Sequence, residues 1–287
     1  MNYSELYEDG TRELSAAGIS EAALDARLLL EFITGHDRNT LLAYPDTPVS
    51  DTDAEKYREL IDKRSLHIPL QHLTGECEFM GLSFIVSDKV LIPRQDSECL
   101  VEEAMRYTAD GSDLLDLCTG SGCLLLSLMH YKNGCRGIGV DISADAIAVA
   151  RSNLSCIEES DGLNGGSAEF ICGDMYDALD GLNRKYDIII SNPPYIKSGV
   201  IPTLMPEVRD HDPVLALDGG DDGLIFYRRI AEGAGAHLAR DGRIFLEIGY
   251  DQADAVTRIF SAAGFADIEV VKDYSGNDRV VVVRYAS

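Results

Sequence analysis

Residues 113–131, DLLDLCTGSGCLLLSLMHY, carry the clearest indication of the fold in this 287-residue chain. They begin with a short apolar run of strand length, continue through a turn that contains Gly120 and Gly122, and end in a run typical of a buried helix. Glycine permits a tight turn and lets a ligand approach the backbone closely. The helix that follows would offer unpaired N–H groups to a carboxylate. This order of elements indicates an α/β domain that binds a ligand at the turn.

Strands and helices alternate along the chain on the C-terminal side of this stretch. Further runs have the length and the β-branched composition of strands: 137–141, 168–172, 186–191, 243–249, 266–271 and 279–285. Strands separated by helices predict a parallel, doubly wound sheet. The last two runs are joined only by the polar turn 273–278, which is too short for a parallel crossover. We therefore expect these two strands to be antiparallel.

The chain on the N-terminal side begins with a helical region, residues 1–72. Ser20 is placed to cap a helix that ends at Gly35, and a second helix is expected to begin at residues 51–52. The apolar residues of the first of these helices recur every four positions and predict one buried face: Leu24, Leu28 and Phe32. The region is therefore expected to form a small helical bundle.

A β-hairpin is expected to link this bundle to the α/β domain. From Glu76 the apolar period changes to two, and Gly81 breaks the run before Pro93 ends it. The sequence thus predicts three parts: a helical domain over 1–72, a linking hairpin over 73–93 and an α/β domain over 94–287.

The composition is that of a soluble globular protein, with 45% hydrophobic and 26% charged residues. No stretch approaches the ~20 apolar residues that cross a bilayer, and the N-terminus resembles neither a signal nor a transit peptide. We therefore expect a cytoplasmic protein without a membrane partner. The 7 cysteines form no C-x-x-C pair and the 6 histidines show no ligand spacing, so no metal site is expected. The net charge of −24 repels a phosphate backbone and disfavours nucleic acid as a partner.

Acidic residues follow the next two predicted strands. Asp141 stands about 20 residues after Gly122, the spacing at which a carboxylate accepts hydrogen bonds from ribose hydroxyls. Asp141 as a helix cap is the alternative, but Ser143 is the better cap. Asp174 is placed to accept from an adenine amino group and Met175 to cover the ring, although an exposed aspartate and a packed methionine explain these two equally well. The spacing does not separate dinucleotides from S-adenosylmethionine.

The tetrapeptide Asn192-Pro193-Pro194-Tyr195 follows the fourth strand and is the sharpest feature of the chain. Each proline has a fixed φ and holds the preceding residue extended. A planar NH₂ group can then donate one hydrogen to the Asn192 side-chain oxygen and the other to the Pro193 carbonyl, while Tyr195 stacks on it. The nitrogen of such a group is a poor nucleophile because its lone pair is delocalised. Two acceptors orient this nitrogen and favour the positive charge that develops when it attacks a methyl group.

With these motifs in place, the sequence resembles class I S-adenosylmethionine methyltransferases. It resembles most closely the HemK/PrmC family of protein glutamine N5-methyltransferases, which modify peptide chain release factors. The stretches that carry this closer resemblance are residues 69–84, 90–102, 116–123, 139–143, 191–196, 211–230 and 245–252.

The resemblance implies a mostly parallel, Rossmann-like methyltransferase sheet with an antiparallel last strand, and S-adenosylmethionine as the methyl donor with S-adenosylhomocysteine as product. It implies the glutamine of the Gly-Gly-Gln motif of class 1 release factors as substrate, held by Asn192 and Pro193 and recognised by the helical domain and hairpin. The cofactor contacts it implies are Cys118, Thr119, Gly120, Ser121, Gly122, Asp141, Asp174, Met175 and Asn192, with Arg94 and Ser97 near the methionine end of the cofactor.

The sequence departs from the family pattern at three positions. Cys118 replaces the first glycine of the turn, Gln95 replaces a proline, and Ser97 replaces a threonine. Small-for-small exchange at Cys118 should keep the turn.

Other functions use much the same motifs. A sister enzyme methylates a ribosomal-protein glutamine, and adenine-N6 DNA methyltransferases hold a flipped base with the same tetrapeptide. A module that only senses S-adenosylmethionine is the alternative that is not an enzyme, and the intact tetrapeptide 192–195 disfavours it.

Overall fold

The computed structural model describes residues 1–160 and 162–285. Within them the α-helices are α1 (Tyr3–Ala16), α2 (Ala22–Thr34), α3 (Arg38–Ala43), α4 (Asp51–Ser65), α5 (Leu70–Thr74), α6 (Glu98–Met105), α7 (Cys123–His130), α8 (Ala144–Ser160), α9 (Pro206–Arg209), α10 (Val214–Leu217), α11 (Ile225–His237) and α12 (Ala253–Ala262). The strands are β1 (Glu76–Phe79), β2 (Leu82–Ile85), β3 (Asp113–Leu117), β4 (Arg136–Asp141), β5 (Ser167–Cys172), β6 (Tyr186–Ser191), β7 (Leu238–Glu247), β8 (Phe265–Lys272) and β9 (Asp278–Tyr285).

The described chain divides into two compact units. The first consists of Met1–Glu76 together with Met205–His211, and the second contains the remaining described residues. The return of residues 205–211 to the first unit follows from no pattern that we found in the sequence. None of the described helices is both long and apolar enough to cross a membrane.

The first unit is a helical bundle, as predicted, with α2 packed against α1 and α4. The helix α2 ends at Gly35 in the left-handed conformation, with φ of 68°, which confirms the predicted stop. Ser20 does not cap it, because Glu21 occupies the cap position and the Ser20 hydroxyl lies one residue too early. The cap of α4 is Ser50, whose hydroxyl accepts from the N–H of Asp53 over 3.1 Å, so this helix begins at Asp51.

The buried face of α2 differs from the predicted one. Leu24 and Phe32 are 40% and 51% exposed. The residues that pack inside the bundle lie on a neighbouring stripe of the helix: Ala22, Ala26, Leu29 and Leu30. This stripe has the same helical spacing, and its small residues let α2 lie closer to its neighbours than a leucine and a phenylalanine would allow.

The second unit contains the predicted hairpin, β1–β2, and a seven-stranded sheet among the described residues. The strand order is β5-β4-β3-β6-β7-β9-β8. All pairs from β5 to β7 are parallel, and β9 is antiparallel to both β7 and β8, so the predicted class of fold is confirmed. The strand β7 starts at Leu238, earlier than predicted.

Both faces of the sheet are buried along the central strands β3, β4 and β6, which explains why these strands are largely apolar. Successive residues of β6 alternate between two cores: Ile188 and Ile190 pack in one cluster and Ile189 in the other. Each such buried side chain contributes about 1.5–3 kcal/mol of transfer free energy. At the carboxyl edge, Leu117 of β3 pairs with Val140 of β4 and with Ser191 of β6. The segments that follow these three strands therefore emerge side by side.

Candidate active site

A cleft lies at this carboxyl edge, within the second unit. It encloses about 1150 Å³ of empty space, including open solvent at its mouth. Most of the predicted site residues line it: Arg94, Ser97, Cys118, Thr119, Gly120, Ser121, Asp141, Asp174, Met175, Asn192 and Pro194. The other predicted residues do not line the cleft, although each is next to a lining residue in the sequence: Gly122, Pro193 and Tyr195.

The glycine-rich turn has an unusual backbone that the sequence explains only in part. Cys118, Gly120 and Gly122 have φ of 59°, 54° and 80°, in the left-handed region. Gly122 caps α7, and a Cβ there would lie 2.9 Å from the ring of Phe170, so only glycine fits. Cys118 keeps the turn, as expected, although cysteine adopts this conformation less readily than glycine. Burial raises the pKa of the Cys118 thiol, which is therefore neutral.

Asp141 is tied to the turn by backbone hydrogen bonds. Its Oδ2 accepts from the N–H of Gly120 and its Oδ1 from the N–H of Ser143, both over 2.9 Å. The Ser143 hydroxyl accepts from the N–H of Ala146 over 3.2 Å, which confirms the predicted cap. Asp141 is therefore not free of backbone contacts, but each carboxylate oxygen retains a second lone pair. Burial raises the pKa of Asp141, and these N–H donors oppose the rise.

Asp174 and Met175 lie at the same cleft with different surroundings. Asp174 pairs with Arg229 of α11 over 2.9 Å between Oδ1 and Nη2. Met175 is 4% exposed and packs in the core cluster that contains Tyr227. Contact of either residue with an adenine ring stays a prediction.

The tetrapeptide 192–195 is held by its neighbours at the end of β6. The Nδ2 of Asn192 donates to the Ser97 hydroxyl over 3.3 Å, which directs the Asn192 Oδ1 away from Ser97. Pro193 is a buried residue, and among the described residues none donates a hydrogen bond to its backbone carbonyl. The carbonyl of Tyr195 accepts from Gln252 Nε2 over 3.0 Å. Within the described residues, the Asn192 side-chain oxygen and the Pro193 carbonyl thus both remain without a hydrogen-bond donor.

Tyr195 faces the protein interior through its hydroxyl. It donates to Oε1 of Glu247 over 3.3 Å, and its ring packs against a core cluster. Burial raises the pKa of Tyr195, which keeps the phenol protonated as a donor. Contact of this ring with a substrate stays a prediction.

Some residues of the site were missed by the sequence analysis. Phe226 and Arg229, one turn apart on α11, line the cleft. Glu247 ends β7 beside the tetrapeptide and is 2% exposed. The signal for Glu247 was present in part, because it is a carboxylate two residues before the end of the predicted strand 243–249. Arg94 also has an unforeseen partner, Asp212, at 2.5 Å. Three or more potential metal ligands nowhere come together in the part of the chain that the structure describes.

Comparison with known proteins reveals similarity over nearly the whole chain. A family model described as the PrmC N-terminal domain matches residues 5–75, and one described as the methyltransferase small domain matches residues 95–205. A release factor glutamine methyltransferase of Agrobacterium fabrum is 39% identical over 279 residues, which cover 95% of this chain and 94% of the relative. A second, from Clostridium acetobutylicum, is 38% identical over 260 residues and covers 90% of each chain.

A solved structure, a methyltransferase from Pyrococcus furiosus, matches with a TM-score of 0.52 and 19% identity. The match covers 71% of this chain and 88% of that one. This likeness shows the fold alone.

Proposed function

The chain belongs to the family of release factor glutamine methyltransferases, and from that premise we propose that it methylates the glutamine of the Gly-Gly-Gln motif in class 1 peptide chain release factors. It is a protein glutamine methyltransferase that depends on S-adenosylmethionine. The proposed reaction moves the methyl group to the side-chain amide nitrogen, N5, of that glutamine.

The observation that carries this proposal is the orientation of the Asn192 amide. Its Nδ2 is engaged by Ser97, so its Oδ1 is left to accept a hydrogen from a substrate NH₂ group. The Pro193 carbonyl is the second acceptor. Two acceptors bind the two hydrogens of a primary amide, whereas a hydroxyl or a secondary amine has only one hydrogen to donate.

The cleft fits S-adenosylmethionine in its chemistry. The half-buried carboxylate of Asp141 suits two ribose hydroxyls, and the start of α7, which has no side-chain cap, offers N–H groups to a carboxylate. Apolar residues between these polar ends, such as Met175 and Phe226, suit the flat adenine ring. When bound, this cofactor would supply a methyl group on a sulfonium sulfur, and the sulfur would leave with the bonding electron pair as the neutral thioether S-adenosylhomocysteine.

The residues of this chain then position the amide and stabilise the charge that it develops. An amide nitrogen is a poor nucleophile because its lone pair is delocalised into the carbonyl. Hydrogen bonds from its N–H groups to Asn192 Oδ1 and the Pro193 carbonyl strengthen as the nitrogen becomes positive. No acid or base has to act first, and the amide proton leaves to water or to a carbonyl after the transfer.

Protein rather than nucleic acid is the substrate that the charge favours. The chain carries 49 acidic and 25 basic residues, and a phosphate backbone is bound through clustered Lys and Arg. The recognition of the release factor by the helical bundle and hairpin is part of the same proposal.

The test is to incubate the protein with labelled S-adenosylmethionine and a class 1 release factor, and to locate the label by mass spectrometry. We expect one methyl group on the glutamine of Gly-Gly-Gln and none on a factor in which this glutamine is replaced by alanine. Label on a ribosomal protein instead, or on adenine in duplex DNA, would replace the proposal with one of the two alternative functions.

A further inference from the structure

We propose that Gln252 is a positioning residue, which fixes the C-terminal end of the tetrapeptide 192–195 and so places the two acceptors that hold the substrate amide. This inference rests on the proposed function, in which the acceptors are Asn192 Oδ1 and the Pro193 carbonyl. Gln252 stands just before α12 and does not line the cleft. It therefore acts through the backbone of the tetrapeptide and not by touching the substrate.

The two ends of the tetrapeptide are held in different ways. Ser191, which precedes it, is the last residue of β6 and pairs with Leu117 of β3 and with Leu246 of β7. Beyond Ser191 the strand ends, and the two prolines have no N–H with which to continue a ladder of hydrogen bonds. The C-terminal end of the tetrapeptide therefore needs partners from outside the sheet.

Gln252 is one of these partners, and its buried side chain bonds to three stretches of backbone. The residue is 5% exposed. Its Nε2 donates to the carbonyl of Tyr195 over 3.0 Å and to the carbonyl of Gly223 over 3.2 Å. Its Oε1 accepts from the N–H of Gly249 over 2.9 Å. These bonds fix the orientation of the amide, because a turned-over amide would place Nε2 against the N–H of Gly249.

The segment 218–223, between α10 and α11, is the second partner. The N–H of Ile196, the residue after the tetrapeptide, donates to the carbonyl of Leu217 over 3.0 Å. The N–H of Gly219 donates in turn to the carbonyl of Ile196 over 2.8 Å. The chain leaving the tetrapeptide is thus paired with the beginning of this segment.

Glycines let the segment 218–223 lie directly against its partners. A Cβ on Gly219 would lie 2.8 Å from the carbonyl oxygen of Pro194, and a Cβ on Gly223 would lie 2.8 Å from Gln252 Nε2. Because the Gln252 amide bonds to the tetrapeptide and to this segment at once, it holds the two together. A buried amide with satisfied hydrogen bonds makes such an arrangement rigid.

The placement of the tetrapeptide matters most for methyl transfer. A displacement of ~1 Å in a group that orients the reacting atoms can lower a rate ~10²-fold. The contacts expected for the cofactor depend on other segments, since Asp141 bonds to the N–H groups of Gly120 and Ser143. Loss of the Gln252 amide should therefore lower kcat and change the affinity for S-adenosylmethionine little.

The first variant is Gln252→Met, which keeps an unbranched side chain of similar length but removes both donors and the acceptor. We expect kcat with a class 1 release factor to fall by ~10–100-fold. The dissociation constant for S-adenosylmethionine, measured by calorimetry, should stay within about twofold of the parent value.

A role in stability alone is the competing explanation, because any buried side chain with several hydrogen bonds stabilises a fold. Thr108→Val is the matched control. Thr108 is 4% exposed, does not line the cleft and donates to the carbonyl of Ala104 over 2.8 Å in the same unit. This variant should lower the melting temperature and leave the kcat of the folded protein within about twofold of the parent.

A second variant leaves Gln252 intact. Gly219→Ala places a Cβ against the carbonyl oxygen of Pro194 and should push the segment 218–223 away from the tetrapeptide, with a similar loss of kcat. Gly199→Ala is its control, because no described atom lies within 4 Å of a Cβ built there. Neither glycine has the left-handed backbone that would strain an alanine.

The parent kcat in Gln252→Met would overturn the inference, and so would a loss of cofactor affinity as large as the loss of kcat. If Gln252→Met does not fold, the two glycine variants decide the matter. Equal rates in Gly219→Ala and Gly199→Ala would then refute the positioning role.

A readout without substrate separates this inference from the proposed function. In Gln252→Met the amide hydrogens of Ile196 and Gly219 should exchange with solvent at least about tenfold faster than in the parent, while the amides of β3 keep their rates. Unchanged exchange at both residues would reject the positioning role even for an enzyme that methylates release factors. Faster exchange in a chain that methylates another substrate would support the link and reject the proposed function alone.

Discussion

The backbone N–H of Gly120 donates to the Oδ2 of Asp141 over 2.9 Å. This bond joins the turn after β3 to the end of β4, two segments that the chain separates by a whole helix. A Cβ on Gly139 would lie 2.5 Å from the ring of Phe170, so the close packing of this ring against β4 also requires a glycine. The Asp141 carboxylate therefore both stabilises the turn at Gly120 and lines the cleft.

Asp141→Ala is expected to weaken binding of S-adenosylmethionine at least tenfold. The variant removes charge-assisted hydrogen bonds of about 1.5–3 kcal/mol and also loosens the turn at Gly120. Isothermal calorimetry measures the change. Asp145→Ala, which removes an exposed charge from the next helix, is the control and should bind as the parent does. Unchanged affinity in Asp141→Ala would contradict the ribose contact.

Asn192→Ala is expected to lower turnover by ~10²–10³, the loss typical of one preorganised polar partner of a transition state. The measurement is kcat with saturating cofactor and release factor, so that a weaker affinity for the cofactor does not lower the measured rate. Near-normal turnover would mean that the substrate amide is held by other groups.

Two aspartates on β3 are expected to influence stability in opposite directions with pH. Burial raises the pKa of Asp116 to about 7 from an ordinary value of 3.8. Between these values the folded chain binds a proton that the unfolded chain has lost, so stability falls as pH rises from about 4 to about 7. Asp116→Asn should remove that fall, which amounts to at most about 1.4 kcal/mol per pH unit. Urea unfolding across this range measures it.

Asp113 provides the opposite case and the control. The hydrogen bond from Arg136 holds the pKa of Asp113 below its ordinary value, with Arg184 adding to the effect. Its contribution to stability is present above pH 3.8 and is lost as pH falls through the folded pKa. Asp113→Asn should therefore destabilise the protein at neutral pH and have no effect in strong acid. If the free energy of unfolding changed with pH equally in Asp116→Asn and Asp113→Asn, the raised pKa of Asp116 would be refuted.

Arg64→Met is expected to destabilise the first unit by about 3–5 kcal/mol. Arg64 is 6% exposed, and it bonds to Asp25 over 2.7 Å and to Glu207 over 2.5 Å. Its removal leaves the buried Asp25 without its cation. Thermal unfolding of the single variant, compared with Arg64→Met combined with Asp25→Leu, measures this. The double variant should recover much of the loss, and an equally unstable double variant would show that packing rather than charge matters.

Much of the second unit could be predicted because its signals are local. The turn at Gly120 and Gly122 needs left-handed backbone, and the central strands are largely apolar because both faces of the sheet are buried there. The predicted buried face of α2 was wrong because a local pattern alone could not decide it. A stripe of Leu24, Leu28 and Phe32 and the stripe through Ala26 and Leu29 have equal helical spacing, and only packing against α1 and α4 selects between them.

The sequence by itself determined the class of fold, the edge at which the cleft forms and the tetrapeptide that we propose as the holder of the substrate nitrogen, since each depends on residues close together in the chain. Only the tertiary structure decided how Asn192 points, because that depends on Ser97, which comes from a distant segment. Hydrogen bonds between such segments leave no periodicity in a sequence. This one exists because the fold brings the turn before α6 to the carboxyl edge of the sheet, where the buried Ser97 hydroxyl accepts from Asn192.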